Sequence, residues 1–397
     1  MTPPPTPPPA PLPTPAPRPP RPPVPPPTVS GHAYPWDVLG DPGFADRVRE
    51  AGLDAVTLAV TYHSTRAATP LHPRRRFVDA RHSALYRPVR ARAWAGRRLV
   101  PAGAPWAEDP DAAGAATLAL AGAGIPVSAW LVLAHNSRLG DLYPDLTVTN
   151  CFGETYPYAL CPAQEEVREY CATLATEALR GLPTDAVRGV SLESAGQLGA
   201  VHAGCHEKTD GAYPAAELRA LSVCCCTACR TAWRAAGLDP DQVARCLRGG
   251  RELPAELGEA LLRVRHDAAD ALRGRVLESV RATLPAAEVT LHAHPDPWAT
   301  GPSPGLTERA RTDADALLVP CWPTGPESAE LVRRAAAPGL PVNAYVTAQP
   351  PADPAALPAH VRRLRAAGAT RLSLYHLGLL PGERLPLLAA LAKEFRA

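Results

Sequence analysis

Cysteines are the most concentrated reactive side chains in this 397-residue chain, which contains ten of them. The run CCCTAC from Cys224 to Cys229 combines C-x-C and C-x-x-C spacing. Because this spacing is typical of thiolates that bind one metal ion, Cys224, Cys226 and Cys229 are candidate ligands. We predict a structural zinc site that Cys205 completes, and reduced cysteines that only pack in the core are the alternative. The candidates for the fourth ligand are Cys205, His206, Cys161 and Cys151.

Acidic side chains could supply acid and base catalysis. Glu193 directly follows the stretch 189–192, which indicates that it emerges from a buried strand. Removal from water raises the pKa of a carboxyl group, and a general acid must keep its proton at neutral pH. Glu193 is therefore the predicted general acid, and a structural carboxylate is the alternative. The second catalytic carboxylate is predicted to be Glu207 or Asp296, with Asp37 as a further candidate.

Histidines and aromatic residues follow several of the predicted strands. His292 and His294 are two residues apart on a strand, so they would share a face and could bind a catalytic metal together with another strand-end histidine. The same imidazoles could instead donate hydrogen bonds to a sugar, whose ring would stack on flat aromatic faces. The predicted substrate-binding residues are Asp37, His63, Arg66, His135, Asn136, His206, His292, His294, Trp322, Tyr345, Tyr375 and His376.

The elements that must position these residues alternate along the chain. Short apolar runs, typical of buried strands, are followed by amphipathic segments rich in Ala, Leu and Arg, typical of helices. Eight such units predict an α/β fold of the (β/α)8 TIM-barrel type, and an open α/β sheet is the alternative. The predicted strands cover 29–34, 54–61, 125–133, 187–193, 287–292, 315–320, 340–346 and 370–376. Helices are predicted to begin near Pro42, Asp109, Pro162, Pro214, Pro304, Pro326, Pro354 and Pro381.

The proline distribution predicts two regions of different character. Seventeen of the first 27 residues are proline, which fixes φ and removes backbone donors, so 1–28 is predicted to be a disordered tail that acts as a spacer or as a weak ligand for a partner. Residues 29–397 are predicted to form a single barrel domain. Long insertions are expected at about 63–108 after the second strand and at about 194–285 after the fourth. Both lie on the side of the barrel that builds active sites.

Charge and hydropathy exclude several classes of protein. The 41 Lys and Arg residues are balanced by 39 Asp and Glu residues, for a formal net charge of +2. Nucleic acid is therefore not an expected partner, because neutralising a phosphate backbone requires a strongly basic surface. No stretch reaches the roughly 18 apolar residues of a membrane span, and no secretion signal is recognisable. We expect a cytoplasmic protein with reduced cysteines and a carbohydrate or another small polar molecule as its ligand.

Three segments of this sequence resemble the glycoside-hydrolase-like barrel proteins of bacteria. They are the helix-opening segment 160–168, the strand 189–194 with its acidic end, and the cysteine-rich segment 223–233. The last is similar to the C-x-C-x-x-C segment that binds structural zinc in bacterial β-galactosidases. The resemblance implies that Glu193 is the acid/base and that Cys224, Cys226 and Cys229 are zinc ligands. The sequence departs from the pattern at Leu192, where the largest clan has Asn, and in strand seven, which lacks the nucleophilic Glu.

Together these observations predict a glycoside-hydrolase-like protein that acts on or binds a carbohydrate. Glu193 would protonate the leaving group, and a second carboxylate would act as base or nucleophile. A metal-dependent hydrolase that uses strand-end histidines is one alternative. A non-catalytic carbohydrate-binding or scaffold barrel is the other, because the carboxylate expected on strand seven is absent.

Overall fold

A closed barrel of eight parallel strands forms the centre of the molecule. The computed structural model describes residues 28–202, 208–209, 211–337 and 339–397. The first strand pairs with both the last and the second, and these two pairings close the sheet. The predicted (β/α)8 barrel is thereby confirmed, and the open-sheet alternative is wrong. The barrel strands are β1 (Thr28–Ala33), β2 (Ala55–Tyr62), β3 (Val127–Val132), β4 (Val187–Glu193), β5 (Glu288–His292), β6 (Ala316–Pro320), β7 (Val342–Thr347) and β8 (Arg371–Tyr375).

Most residues of each barrel strand are buried because both faces of the sheet are covered. Parallel strands in such barrels contact the packed interior on one side and the helices on the other. In β2, seven consecutive residues from Val56 to Tyr62 are buried. All eight predicted strands are present, with ends that differ by at most a few residues. Glu193 at the end of β4 lies beside Val132 of β3, so its carboxyl group reaches the carboxyl-terminal mouth of the barrel.

Helices follow every barrel strand and cover the outside of the sheet. The longest, Ala255–Thr283, lies within the segment 194–285 and packs along the helix Glu165–Leu179. It is the wall helix that follows β4. This helix was predicted to begin near Pro214, but the helix that begins there, Ala215–Leu221, is short. The wall helices are α1 (Phe44–Glu50), α2 (Ala112–Gly122), α3 (Glu165–Leu179), α4 (Ala255–Thr283), α5 (Ala310–Asp313), α6 (Pro326–Ala336), α7 (Leu357–Ala366) and α8 (Leu385–Arg396).

Further short elements occur between the strands and the wall helices. Two antiparallel hairpins are formed by Thr65–Ala68 with Phe77–Ala80 and by Thr147–Thr149 with Thr155–Leu160. The strand Ala84–Leu85 pairs antiparallel with the end of β2. The remaining helices are Pro35–Gly40, Ala91–Trp94, Ser137–Leu142, Ala215–Leu221, Thr227–Ala235 and Pro240–Arg248, with short 3-10 turns at Pro144–Leu146 and Gly382–Arg384.

Some predictions fall on residues outside the described ranges. Residues 1–27 carry almost all of the predicted proline-rich tail, so its disorder and its partner stay predictions. The candidate site residues Cys205, His206 and Glu207 also lie outside the described ranges. Within the described ranges, no helix is long and apolar enough to cross a membrane.

Candidate active site and metal centre

Glu193 is a buried carboxyl group at the mouth of the barrel. Only 4% of its surface is exposed. Its Oε2 accepts a hydrogen bond of 2.9 Å from the indole Nε1 of Trp130, on β3. Burial raises the pKa of Glu193 to about 8, although the Trp130 hydrogen bond partly opposes the shift. The carboxyl group is therefore mostly protonated at neutral pH, as a general acid must be.

His292, at the end of β5, is the second neighbour of this carboxyl group. Its Nδ1 lies 3.5 Å from Glu193 Oε2, and its Nε2 lies 3.0 Å from the hydroxyl of Ser191. Burial lowers the pKa of His292 to about 3, so the ring is neutral. In a neutral imidazole one nitrogen donates and the other accepts, and the Ser191 hydroxyl can serve as either partner of Nε2. The pair is thus two neutral groups rather than an ion pair.

Asp37 is a second buried carboxyl group near the mouth. It lies on the helix Pro35–Gly40, directly after β1, and its Oδ2 accepts a hydrogen bond of 2.8 Å from the backbone N–H of Tyr34. His376 Nδ1 is 3.7 Å from the same oxygen. Burial raises the pKa of Asp37 to about 7 and lowers the pKa of His376 to about 3. Asp37 is therefore about half ionised at neutral pH.

Aromatic side chains surround the two carboxyl groups. His32, in β1, has ring centroids of Trp130 and Tyr345 at 4.8 and 4.6 Å. The buried hydroxyl groups of Tyr62, Tyr345 and Tyr375 are close enough to Glu193 for its charge to raise the pKa of each, in addition to the larger effect of burial. His32 and Trp130 were not predicted as site residues because both lie within barrel strands. An imidazole or indole side chain inside such a strand was the sequence feature that could have indicated them.

Trp322 extends this aromatic cluster to the surface. Its ring stacks on that of Tyr375 with a centroid distance of 5.2 Å, and 44% of Trp322 is exposed. An indole that is packed on one face and exposed on the other can stack on a sugar ring. The structure thus brings Trp322, Tyr345, Tyr375 and His376 into one region with Glu193 and Asp37.

A row of imidazoles lies beside this region. The rings of His63 and His135 stack at 4.5 Å, and His135 Nε2 is 3.0 Å from His202 Nε2. Burial lowers the pKa of His63 to about 4 and that of His135 well below its usual range. Tyr158 stacks on His202 at 4.2 Å. His63 and His135 are therefore polar but uncharged at neutral pH, which suits contacts with the hydroxyl groups of a sugar.

The other predicted site residues have structural partners. Asn136 caps the helix Ser137–Leu142 by accepting from Leu139 N, and its amide donates to Tyr170. Arg66 lies over Phe77 in the first hairpin.

His294 and Asp296 form a turn after β5. His294 Nδ1 accepts a hydrogen bond of 3.1 Å from Asp296 N, and Asp296 Oδ1 accepts one of 3.0 Å from Trp298 N. His294 lies beyond the last residue of β5, in an isolated bridge with Gly305, and is half-buried, whereas His292 is buried.

Four buried cysteines form a separate cluster. The Sγ atoms of Cys161, Cys224, Cys226 and Cys229 all lie within 4.8 Å of one another. In the described part of the chain, no other set of three or more His, Cys, Asp or Glu side chains converges in this way. Cys161 occupies the place of the fourth ligand, for which Cys205 was predicted; Cys205 lies outside the described residues. The strand-end histidines do not form a metal site among the described residues.

The cluster has the properties of a structural metal site. Four sulfur ligands are the usual set for closed, tetrahedral zinc. Backbone N–H groups of Thr149 and Cys226 each lie 3.5 Å from Cys224 Sγ and can donate to a thiolate. Hydrogen bonds within the cluster lower the pKa of Cys226 and raise the pKa values of Cys161 and Cys229, so without a metal the negative charge is centred on Cys226. None of the nine described cysteines forms a disulfide. These residues fit a zinc ion.

Comparisons with known proteins give similarity of fold at low sequence identity. No protein-family model and no curated protein matches the sequence. Among solved structures, α-L-fucosidase isoenzyme 2 from Paenibacillus thiaminolyticus has a TM-score of 0.58 at 14% identity, over 92% of this chain and 49% of that chain. A β-galactosidase from the psychrophilic Marinomonas ef1 has a TM-score of 0.56 at 14% identity, over 92% of this chain and 59% of that chain.

A third similar structure is matched over almost its whole length. The catalytic domain of β-amylase from Paenibacillus polymyxa has a TM-score of 0.55 at 12% identity, over 89% of this chain and 93% of that chain. By contrast, this chain spans only about half to three-fifths of the fucosidase and the β-galactosidase. This chain therefore shares its barrel fold with these three proteins.

Proposed function

We propose that this protein is a glycoside hydrolase in which Glu193 is the general acid. The observation that carries the proposal is a carboxyl group at the end of β4 that is buried and has a pKa of about 8. A carboxylic acid that keeps its proton at neutral pH can protonate the glycosidic oxygen as the bond to the leaving group breaks. Similarity of fold to a fucosidase, a β-galactosidase and a β-amylase supports a carbohydrate substrate.

Asp37 is the proposed second carboxylate. Of the candidates, Glu207 lies outside the described residues, and Asp296 is only half-buried, whereas Asp37 is 5% exposed. Asp37 instead belongs to the buried aromatic cluster, and its pKa of about 7 leaves it partly ionised at neutral pH. A partly ionised Asp37 can accept a proton from water or attack the sugar while Glu193 donates one. Protonated Glu193 and ionised Asp37 coexist between about pH 7 and about pH 8.

Trp130, His292 and Ser191 are the proposed positioning residues. Trp130 donates to Oε2 of Glu193, and His292, which is paired with Ser191, lies 3.5 Å from the same oxygen. These contacts hold the carboxyl group in one orientation.

We also propose that Cys161, Cys224, Cys226 and Cys229 bind one zinc ion. Zinc in a four-thiolate site stabilises the fold and leaves no open position for a substrate. Cys161 follows the second hairpin, and Cys229 lies on the helix Thr227–Ala235. The ion would therefore fasten the helices that follow β4 to the hairpin that follows β3.

A carbohydrate-binding protein without hydrolytic activity is the second candidate. The observation that favours it is the absence of a carboxylate from the whole of β7, Val342–Thr347, where a tyrosine, Tyr345, faces the cluster. A binding protein would retain its affinity for sugar when Glu193 is replaced by Gln, and neither form would release product.

Hydrolysis of a panel of aryl glycosides by the native protein and by Glu193→Gln tests this proposal. We expect hydrolysis of at least one glycoside by the native protein and a loss of about 10²–10⁴-fold in the variant. Asp296→Asn is the matched control and should retain activity, because its carboxylate only closes a turn. Metal analysis of the same samples should find about one zinc per chain. Absence of turnover by a native protein that binds sugar would overturn the hydrolase proposal and support the binding protein.

A further inference from the structure

A buried guanidinium group lies next to the four-cysteine cluster. Arg265, on α4, is only 6% exposed. Its Nη1 donates a hydrogen bond of 2.9 Å to the carbonyl oxygen of Ser222, two residues before Cys224. Its Nε is buried, and no described atom accepts a hydrogen bond from it. A buried guanidinium retains its charge, so it requires nearby negative charge to offset the loss of water.

The negative charge that faces Arg265 belongs to the cysteines. α4 packs against the helix Thr227–Ala235, which carries Cys229. Burial lowers the pKa of Arg265, and the thiolate charges of Cys229, Cys224 and Cys161 oppose that shift. No carboxylate of the described chain forms an ion pair with Arg265 within 4 Å. Among the described residues, the cysteine cluster is therefore the source of negative charge that acts on the Arg265 guanidinium.

We propose that Arg265 supplies the counter-charge of the metal-loaded cysteine cluster and thereby sets its affinity for zinc. Four thiolates around Zn²⁺ leave two uncompensated negative charges, and burying net charge is unfavourable. N–H donors at Thr149 and Cys226 reduce this cost without adding charge. The Arg265 guanidinium adds one full positive charge inside the same packed region. This inference rests on the proposed zinc site and not on the proposed hydrolysis of carbohydrate.

Arg219 provides a matched comparison. The guanidinium groups of Arg265 and Arg219 both lie over the ring of Trp298, at 5.4 and 5.5 Å from its centroid. The Arg219 side chain is 37% exposed and pairs with Glu252 at 3.5 Å. Replacing either arginine removes a cation–π contact with the same tryptophan. Only the replacement of Arg265 removes positive charge from beside the thiolates.

The experiment measures zinc affinity of the full chain by competition with a chromophoric chelator, for native protein, Arg265→Met, Arg265→Lys and Arg219→Met. We expect Arg265→Met to bind zinc about 10–100-fold more weakly, the usual effect of losing a partner of the ligands. Arg265→Lys keeps the charge and should lose less, and Arg219→Met should match the native protein. Circular dichroism with zinc bound confirms that the compared samples are folded.

Cobalt substitution provides a second readout, in which coordination by the cysteines is observed directly. Tetrahedral thiolate coordination gives Co²⁺ intense visible absorption, and titration of each variant gives its affinity directly. Equal zinc and cobalt affinities for Arg265→Met and the native protein would overturn the assignment of Arg265 while leaving the zinc site intact. A native protein that binds neither ion would overturn both proposals. If Arg265→Met is unfolded even with zinc, Arg265→Gln, which keeps hydrogen-bond donors but removes the charge, is compared with Arg265→Lys. A weaker Arg265→Gln supports the counter-charge, and equal affinities of the two variants contradict it.

Discussion

Glu193 keeps its proton at neutral pH because the barrel mouth removes the carboxyl group from water and gives it neutral neighbours. The hydrogen bond from Trp130 favours the ionised form, yet burial outweighs it and leaves the pKa at about 8. His292 does not oppose this outcome, because burial also keeps its ring neutral. The same reasoning applies to Asp37 and His376, whose pKa values are about 7 and about 3. Chemistry at this site therefore depends on desolvation more than on charge pairing.

The raised pKa of Glu193 makes stability depend on pH. An unfolded glutamate loses its proton near the ordinary pKa of 4.5, whereas the folded protein holds it up to about 8. The folded state binds the extra proton in this window, so the contribution of Glu193 to stability falls as the pH rises through it. Glu193→Gln lacks the titration and should gain about 1.4 kcal/mol relative to the native protein for each pH unit within the window.

Thermal or urea unfolding at about pH 5.5 and about pH 8 measures this difference. Glu259→Gln, an exposed position on α4, is the control, and its stability relative to the native protein should be the same at both pH values. A Glu193→Gln difference that does not change with pH would show that the carboxyl group does not keep its proton in the fold.

Removal of the indole N–H of Trp130 tests how this hydrogen bond affects the pKa of Glu193. Trp130→Phe keeps an aromatic ring but loses the 2.9 Å hydrogen bond that favours the ionised carboxyl. A hydrogen bond to a charged group contributes about 1.5–3 kcal/mol, so the pKa of Glu193 should rise by about one unit or more. The alkaline limb of kcat/KM against pH should shift upwards by the same amount. Trp94→Phe removes another buried indole N–H, one without a described partner, and should leave the limb unmoved.

Elements with local patterns were predictable from the sequence. The alternation of apolar strands and amphipathic helices predicted all eight barrel strands, because each strand is buried on both faces and each turn carries its own signals. Glu193 was identified for the same reason, since it ends the apolar run of β4. The helix α4 was missed because helices preceded by Pro214 and Pro254 compete for one place in the barrel, and only packing against α3 distinguishes them.

Contacts between distant elements were not predictable in this way. The pairing of His292 with Glu193 joins two strands, and Trp130 reaches Glu193 from 63 residues away. His294 was expected on the same strand face as His292, but β5 ends at His292 and His294 lies in an isolated bridge with Gly305. Where a strand ends is decided by its neighbours, so period-two spacing alone could not place these two rings.

The loop after β8 positions Asp37 by close packing. A Cβ atom added at Gly378 would lie 2.0 Å from Asp37 Cγ, whereas one added at Gly382 meets nothing within 4 Å. Gly378→Ala should therefore displace Asp37 and lower the free energy of unfolding by about 1–3 kcal/mol, as overpacking usually does. The activity of Gly378→Ala should fall as well. Gly382→Ala is the control and should leave both stability and kcat/KM unchanged. Full activity of Gly378→Ala would contradict a catalytic role for Asp37.

At the scale of the whole molecule, the cysteine cluster joins segments that are far apart in the chain. Cys161 and Cys229 are 68 residues apart, and their sulfur atoms lie 3.6 Å from each other. The sequence motif predicted the three nearby cysteines, and Cys161 was one of four open choices for the last ligand. Only the folded barrel, which brings the second hairpin against the helix Thr227–Ala235, selects it.

Removal of metal should therefore lower the stability of the protein. A ligand at a thousand times its Kd stabilises the folded state by about 4 kcal/mol, so a strong chelator should lower Tm measurably. Cys226→Ser should abolish most of this chelator effect by weakening zinc binding. Cys246→Ser, on the helix Pro240–Arg248 and outside the cluster, should respond like the native protein. An identical Tm with and without chelator in a zinc-loaded sample would contradict a structural role.

The dependence of Glu193→Gln on the leaving group tests the central claim most directly. A general acid is needed when the leaving group is a poor one and is nearly dispensable when the leaving group is already a stable anion. For a glycoside that the native protein cleaves, kcat/KM should fall by about 10²–10⁴-fold with an alkyl leaving group. It should fall far less with a dinitrophenyl leaving group. Equal losses for both glycosides, or no loss for either, would contradict the role of Glu193 as proton donor.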